Sequence, residues 1–115
     1  MAALNPDVTV VHAQRADRAG NVQLWGITGV QKEAVLAARR SLATVEEIVD
    51  DLTPVPGAVV LPAWVLDAVA VAPRGAAPSY AHGYYDRDNA AYREWDAISR
   101  DREAFSRWLR TLEDA

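Results

Sequence analysis

The hydrophobic pattern divides the chain into alternating short apolar runs and polar turns. Val8 to Ala13 is an apolar run, mostly β-branched and interrupted at His12, between Pro6-Asp7 and a polar stretch with Asp17, Gly20 and Asn21. A continuous apolar run of this length predicts a buried strand of an α/β sheet. The turn residues after it favour chain reversal, because Asp and Asn bond their own backbone and glycine tolerates positive φ. Asn21 to Gly26 alternates Val22 and Leu24 with Gln23 and Trp25, which predicts a second strand pairing antiparallel with the first as a hairpin. From Val30 to Arg40 the apolar positions Val30, Ala34, Ala37 and Ala38 recur at helical spacing, and Arg39-Arg40 would favour the helix C-terminus. Leu42 to Val45 reads as a short strand. Thr44 with Glu47 has the spacing of a capping box and predicts a brief helix through Val49. Asp50 to Gly57 is a proline-containing loop, Ala58 to Leu61 is extended, and Leu66 to Ala72 is a further strand. Pro73 to Asp86 has no period and predicts a long loop. Asp88 to Thr111 is helical, with Tyr92, Trp95 and Ile98 on one face, Asp101 as a second N-cap, and Phe105, Trp108, Leu109 and Leu112 on the next face. These helices are expected to cover the sheet. The order of elements predicts an α/β fold: a mainly parallel sheet with packed helices, an N-terminal β-hairpin and a helical C-terminus.

Composition narrows the possibilities. The 115 residues are enough for a single domain spanning 1–115, and 50% hydrophobic with 24% charged residues is the composition of a folded chain. A net charge of −4 is the wrong sign for a nucleic-acid surface or a polybasic membrane anchor. With no cysteine and two histidines, disulfides, thiolate chemistry and a metal site are not expected. No signal peptide or membrane-length apolar run is apparent, so a cytoplasmic location is expected.

The candidate chemistry is sparse. Glu46-Glu47 could work as an acid–base pair, but neighbours on a helix diverge by about 100° and a structural role is the stronger reading. His12 is either a general base at a strand's carboxyl end or a satisfied buried histidine. Ser79, His82 and Asp86 have the residue types of a hydrolytic triad without the strand-turn-helix elbow that exposes a nucleophile. Loops as long as Pro73 to Asp86 are usually functional, and its Tyr80, His82, Tyr84 and Tyr85 are the best candidates for substrate contact, since aromatics with polar tips suit pocket walls. Sealing of the loop against the sheet is an equal reading of the same tyrosines, and both stand.

Three ordered segments, PDVTVVHAQRADRAGNVQLWG, AARRSLATVEEIV and LPAWVLDAVAVAPRGAAPSYAHGYYDRD, resemble the alpha subunit of the family I CoA-transferases, the group of the 3-oxoacid and glutaconate CoA-transferases. The specific positions are His12, Gln14, Asp17, Gly20 and Asn21; Thr44, Glu46 and Glu47; and Pro62, Val65, Asp67, Pro73, Gly75 and Pro78. The resemblance matches the C-terminal half of that subunit. The family's Gly-Gly-Phe run has no counterpart here, and Ala77 stands where the family commonly has histidine.

The resemblance implies a function. In the family a glutamate attacks the acyl-CoA thioester, giving an anhydride and then a glutamyl-CoA thioester from which an acceptor acid collects CoA. That glutamate lies in the partner beta subunit, in a Ser-Glu-Asn-Gly-like motif absent from this chain. The expectation is therefore an alpha-subunit portion with no catalytic residue of its own and no cofactor, coenzyme A thioester being the substrate. Its expected partners are a beta subunit and the missing N-terminal half of the alpha subunit, and oligomerisation is expected. A thioester hydrolase on the same scaffold, or a noncatalytic binding module, are the alternatives.

Overall fold

The computed structural model describes residues 2–114. The chain runs through β1 (Val8–Asp17), β2 (Val22–Leu24), α1 (Gln31–Ala37), β3 (Arg40–Val49), β4 (Val59–Leu61), a 3-10 turn at Ala63–Val65, β5 (Ala68–Val71), α2 (Asn89–Arg100) and α3 (Arg102–Glu113). The strands form one mixed sheet in the order β4-β2-β1-β3-β5. The two long strands β1 and β3 lie parallel from Val8 opposite Arg40 to Asp17 opposite Val49, and β5 adds parallel to β3. On the other side β2 returns antiparallel to β1, which is the expected hairpin, and β4 pairs antiparallel with β2.

The turn between β1 and β2 is built by Asp17. Its Oδ1 accepts the N–H groups of Ala19 and Asn21 at 2.9 Å each, and its Oδ2 accepts the Asn21 amide at 2.8 Å. These bonds, that of the Asn21 side chain foremost, hold the Asp17 carboxyl below its ordinary pKa. Gly20, with φ +91°, supplies the left-handed step. Asn21 Oδ1 then accepts the Ala63 N–H at 2.8 Å and ties this turn to the segment after β4.

One face of the central strands carries the core. Val11 and Ala13 of β1, Ala43 and Val45 of β3, and Val35 of α1 are buried together with Val22, Leu24 and Leu61. Two hydroxyls fix α1 on this face: Thr9 donates to the Ala34 carbonyl and Ser41 to the Val35 carbonyl, both at 2.9 Å. The opposite face is open at its amino end, where Val8, Val10 and Leu42 are exposed.

Four local expectations are corrected. The brief helix from Thr44 through Val49 does not form, because these residues continue β3 and extend its pairing with β1 from His12 to Asp17. A long parallel ladder outweighs one capping box. α1 ends at Ala37, since the Arg39 and Arg40 N–H groups donate to the Pro6 and Asp7 carbonyls as the chain enters β3. The strand forecast over Leu66 to Ala72 is confined to Ala68–Val71. The C-terminal helices are two, capped by Asp88 and Asp101 as their sequence suggests. Their apolar faces meet each other instead of closing over the sheet, with Trp95 edge-on to Trp108 at 4.8 Å and to Phe105 at 6.1 Å. Among the described residues no helix is long and apolar enough to cross a membrane.

This division of faces predicts unequal costs for equal truncations. Leu61→Ala, at a site 2% exposed, should lower unfolding free energy by about 2–5 kcal/mol. Leu42→Ala, on the open face, should cost under about 1 kcal/mol in the same urea titration.

Candidate functional site

The parallel register of β1 and β3 sets His12 directly opposite Thr44. His12 Nδ1 lies 2.8 Å from Thr44 Oγ1, and its Nε2 lies 2.7 Å from Glu46 Oε1. An ionised carboxylate can only accept, so the network assigns a proton to Nε2; in the neutral ring Nδ1 then accepts from the Thr44 hydroxyl. Both ring nitrogens are engaged, and His12 is the satisfied histidine of the two readings rather than a free base.

Glu46 also organises the loop after β5. Its Oε2 accepts the Arg74 N–H at 2.7 Å, and the Tyr85 hydroxyl, which accepts the Ala76 N–H at 3.0 Å, stands close enough to the same carboxylate to lower its pKa. Burial alone would push the Glu46 carboxyl up; the bonds from Arg74, Tyr85 and His12 outweigh it and hold the pKa below the ordinary value. Burial and the neighbouring Glu46 raise the Tyr85 hydroxyl in turn. Arg74 adopts a left-handed φ of 61° and lays its guanidinium 4.8 Å from the centre of the Tyr85 ring. Gly75 passes over His12 so closely that a Cβ there would sit 2.7 Å from the imidazole and 2.9 Å from the Ala72 carbonyl oxygen. The adjacent Glu47 accepts from the Tyr84 hydroxyl at 2.6 Å, and burial together with that carboxylate pushes the Tyr84 pKa up.

A second clamp lies on the hairpin side. The Gln14 side chain accepts the Trp25 N–H at 3.1 Å and donates to the Trp25 carbonyl at 3.0 Å, fixing the chain as it leaves β2. Between this clamp and the loop is a cleft of about 300 Å³ whose walls include Gln14, Trp25, Gln31, Ser79, Tyr80 and His82.

The four aromatic candidates therefore separate. Tyr80 and His82 line the cleft, whereas Tyr84 and Tyr85 are turned to the β3 carboxylates and fasten the loop. Asp86 does not line the cleft that Ser79 and His82 share, so the three are not assembled as a triad there. Glu46 and Glu47 stand on a strand, not a helix, and alternate to its two faces. Of the other residues that build the site, Gln14 is marked in the sequence only by the family resemblance, and Gln31 and Arg74 are not marked at all. Among the described residues no group of three or more acidic, histidine or cysteine side chains is placed to hold a metal.

Comparison with known proteins gives a consistent picture. Residues 1–72 match the family model described as Coenzyme A transferase. The chain is 63% identical over 107 residues to the alpha subunit of 3-oxoadipate CoA-transferase from Pseudomonas knackmussii, covering 93% of this chain and 38% of that protein. It is 35% identical over 114 residues to the alpha subunit of glutaconate CoA-transferase from Acidaminococcus fermentans, covering 94% of this chain and 36% of the relative. The chain thus spans little more than a third of the length of either relative. Among solved structures, a variant of the decarboxylase AibA/AibB aligns with a TM-score of 0.79 at 31% identity, over 98% of this chain and 41% of its own. Glutaconate coenzyme A-transferase from Acidaminococcus fermentans aligns with a TM-score of 0.75 at 31% identity, over 91% of this chain and 34% of its own.

Two outcomes test the site's construction. A carboxyl with a lowered folded-state pKa stabilises above its unfolded value, near 4.5 for Glu46, and that contribution is lost as pH falls through the folded value. Glu46→Gln should cost about 1–3 kcal/mol at pH 7, and the gap to the wild type should narrow in urea titrations below pH 4.5. Gly75→Ala should destabilise by about 1–3 kcal/mol through overpacking on His12, read as a lower thermal midpoint.

Proposed function

The chain belongs to the coenzyme A transferase family, and we propose that it is a single-domain portion of an alpha subunit that walls the thioester site of a CoA-transferase. The reaction is exchange of CoA between an acyl-CoA thioester and a carboxylic acid. The observation that carries this reading is the 63% identity over 107 residues with the alpha subunit of a 3-oxoadipate CoA-transferase, which also favours a 3-oxo dicarboxylic acid as the acyl group.

The chemistry splits one exchange into displacements. A glutamate carboxylate attacks the thioester carbonyl and expels CoA thiolate, forming an acyl anhydride. The thiolate then attacks the glutamyl carbonyl of the anhydride, releasing the first acid and leaving glutamyl-CoA. The acceptor acid reverses both steps. That nucleophile must be exposed to the thioester, and the geometry here supports a nucleophile held elsewhere. Glu46 is buried and held by His12 and Arg74, and Glu47, although exposed, accepts from the Tyr84 hydroxyl. We assign the nucleophile to a partner beta subunit. The remainder of the alpha subunit is the other partner, coenzyme A enters as substrate and not as a resident cofactor, and the assembly works in the cytoplasm.

In this reading Tyr80 and His82 face the substrate, while Tyr84 and Tyr85 hold the wall in place. A fold shared with a decarboxylase does not by itself fix the reaction. The identity with a transferase subunit favours transfer over hydrolysis.

Two measurements test the proposal. The purified chain incubated with acyl-CoA should show no glutamyl-CoA adduct by intact mass, and a covalent adduct on Glu46 or Glu47 would overturn the assignment. The assembled enzyme should form new acyl-CoA only when an acceptor acid is added. Equal loss of thioester without acceptor would make it a hydrolase.

A further inference from the structure

The C-terminal helices are the least covered part of the molecule. Each is 12 residues long and amphipathic, yet neither α2 nor α3 has a buried residue. Helices of this length are marginal in water and draw their stability from packing of the apolar face. Phe105, Leu109 and Leu112 share one stripe of α3 by helical spacing. With Tyr92 and Trp95 of α2 they remain between 37% and 55% exposed. The contacts of Trp95 with Phe105 and Trp108 join the two helices but leave this surface open. Beside it a groove of about 590 Å³, between the helix pair and Ala77-Pro78, is walled by Tyr92, Trp95, Ile98, Trp108 and Leu112. Its charged members are Arg74, Asp88 and Glu94, of both signs, so it selects neither an anion nor a cation.

We propose that the α2–α3 pair docks against the same pair of a second copy of this chain, closing a four-helix cluster. Two helices that fold back on each other are half of such a cluster, and two-fold pairing sets identical apolar seams face to face. The five half-exposed side chains offer roughly 450 Å² of apolar surface per copy, about 900 Å² for the pair. An interface of standard size buries about 1,600 Å² in all, a little over half of it non-polar, so the surface present is what a dimer needs. Charge favours a like copy over a partner of one sign. Between Arg87 and Asp114 there are six basic and seven acidic residues, a balance of −1 against −4 for the whole chain. Arg100 is already paired with Asp96, and Arg107 with Glu103, inside each copy. A strongly acidic or basic partner therefore gains nothing from this rim, and a second copy is not repelled by it. The inference is independent of the transfer chemistry, which makes no use of these helices.

The test is sedimentation of the purified chain over a concentration series through the micromolar range. The mass should rise from 12.6 kDa toward twice that value, with a dissociation constant on the order of 10 μM, as an interface of modest size gives. Leu109→Glu combined with Leu112→Glu should weaken association at least about a hundredfold by placing charges in the seam. Helical circular dichroism should be kept, since both sites are open to water. Trp64→Glu on the 3-10 turn and Val8→Glu at the open end of β1, both exposed, should leave association unchanged. A chain that stays monomeric throughout would overturn the inference and leave the helix pair for a companion chain of other sequence. Association that survives the double charge, or that is abolished by Trp64→Glu or Val8→Glu, would overturn it as well. Should the doubly charged variant lose its helices, the absence of cysteine from the chain supplies a second readout. Leu112→Cys should be joined to its like by a short bis-maleimide, and Trp64→Cys should not. No cross-link at Leu112→Cys, or equal cross-linking of both variants, sinks the inference.

Discussion

A carboxylate buried on the face of a parallel sheet is the constraint around which this structure is arranged. Glu46 would destabilise the fold if it were left in its place without donors, since removing a charge from water costs more than packing returns. The fold answers with hydrogen bonds from His12 of β1 and the Arg74 N–H, with the Tyr85 hydroxyl beside them. The donors come from the first strand and from the loop that follows the fifth, so one ionised group on the third strand joins all three. The left-handed Arg74 and the close approach of Gly75 to His12 follow from bringing that loop within reach of the carboxylate.

The same arrangement decides what the site can and cannot supply. Side chains that look reactive in isolation, a histidine and two adjacent glutamates, are held in hydrogen bonds. What they leave is a cleft with hydroxyl, amide and aromatic walls and no fixed charge. Such a lining offers hydrogen-bonding and apolar contact without a fixed charge, in a chain that shares its family's scaffold and covers little more than a third of the length of its relatives.

The elements were legible in the sequence to the extent that their signals were local. β1, the Asp17 turn, the hairpin partner and both capped C-terminal helices follow from runs and caps a few residues long. Thr44 to Val49 misled because a capping box is a local pattern, whereas the ladder from His12 to Asp17 that overrides it is formed with a strand distant in sequence. The site was less legible for the same reason. His12, Thr44 and Glu46 meet only through the parallel register, and nothing in a single sequence sets that offset. The aromatic loop was conspicuous, but its division into Tyr80 and His82 at the cleft and Tyr84 and Tyr85 at the carboxylates depends on the backbone path through Arg74 and Gly75. Gln31 gave no sequence signal at all, being one more polar residue at the start of a helix.

The borders of the sheet are β4, with three residues, and β5, with four. At those two outer edges a strand docking alongside would find only a few rungs to grip, too few to repay the entropy of aligning it. The long strands are shielded only in part: β2 pairs with β1 at Arg15 and Ala16, and β5 with β3 from Leu42 to Val45, so the amino half of β1 has no ladder partner on its hairpin side among the described residues.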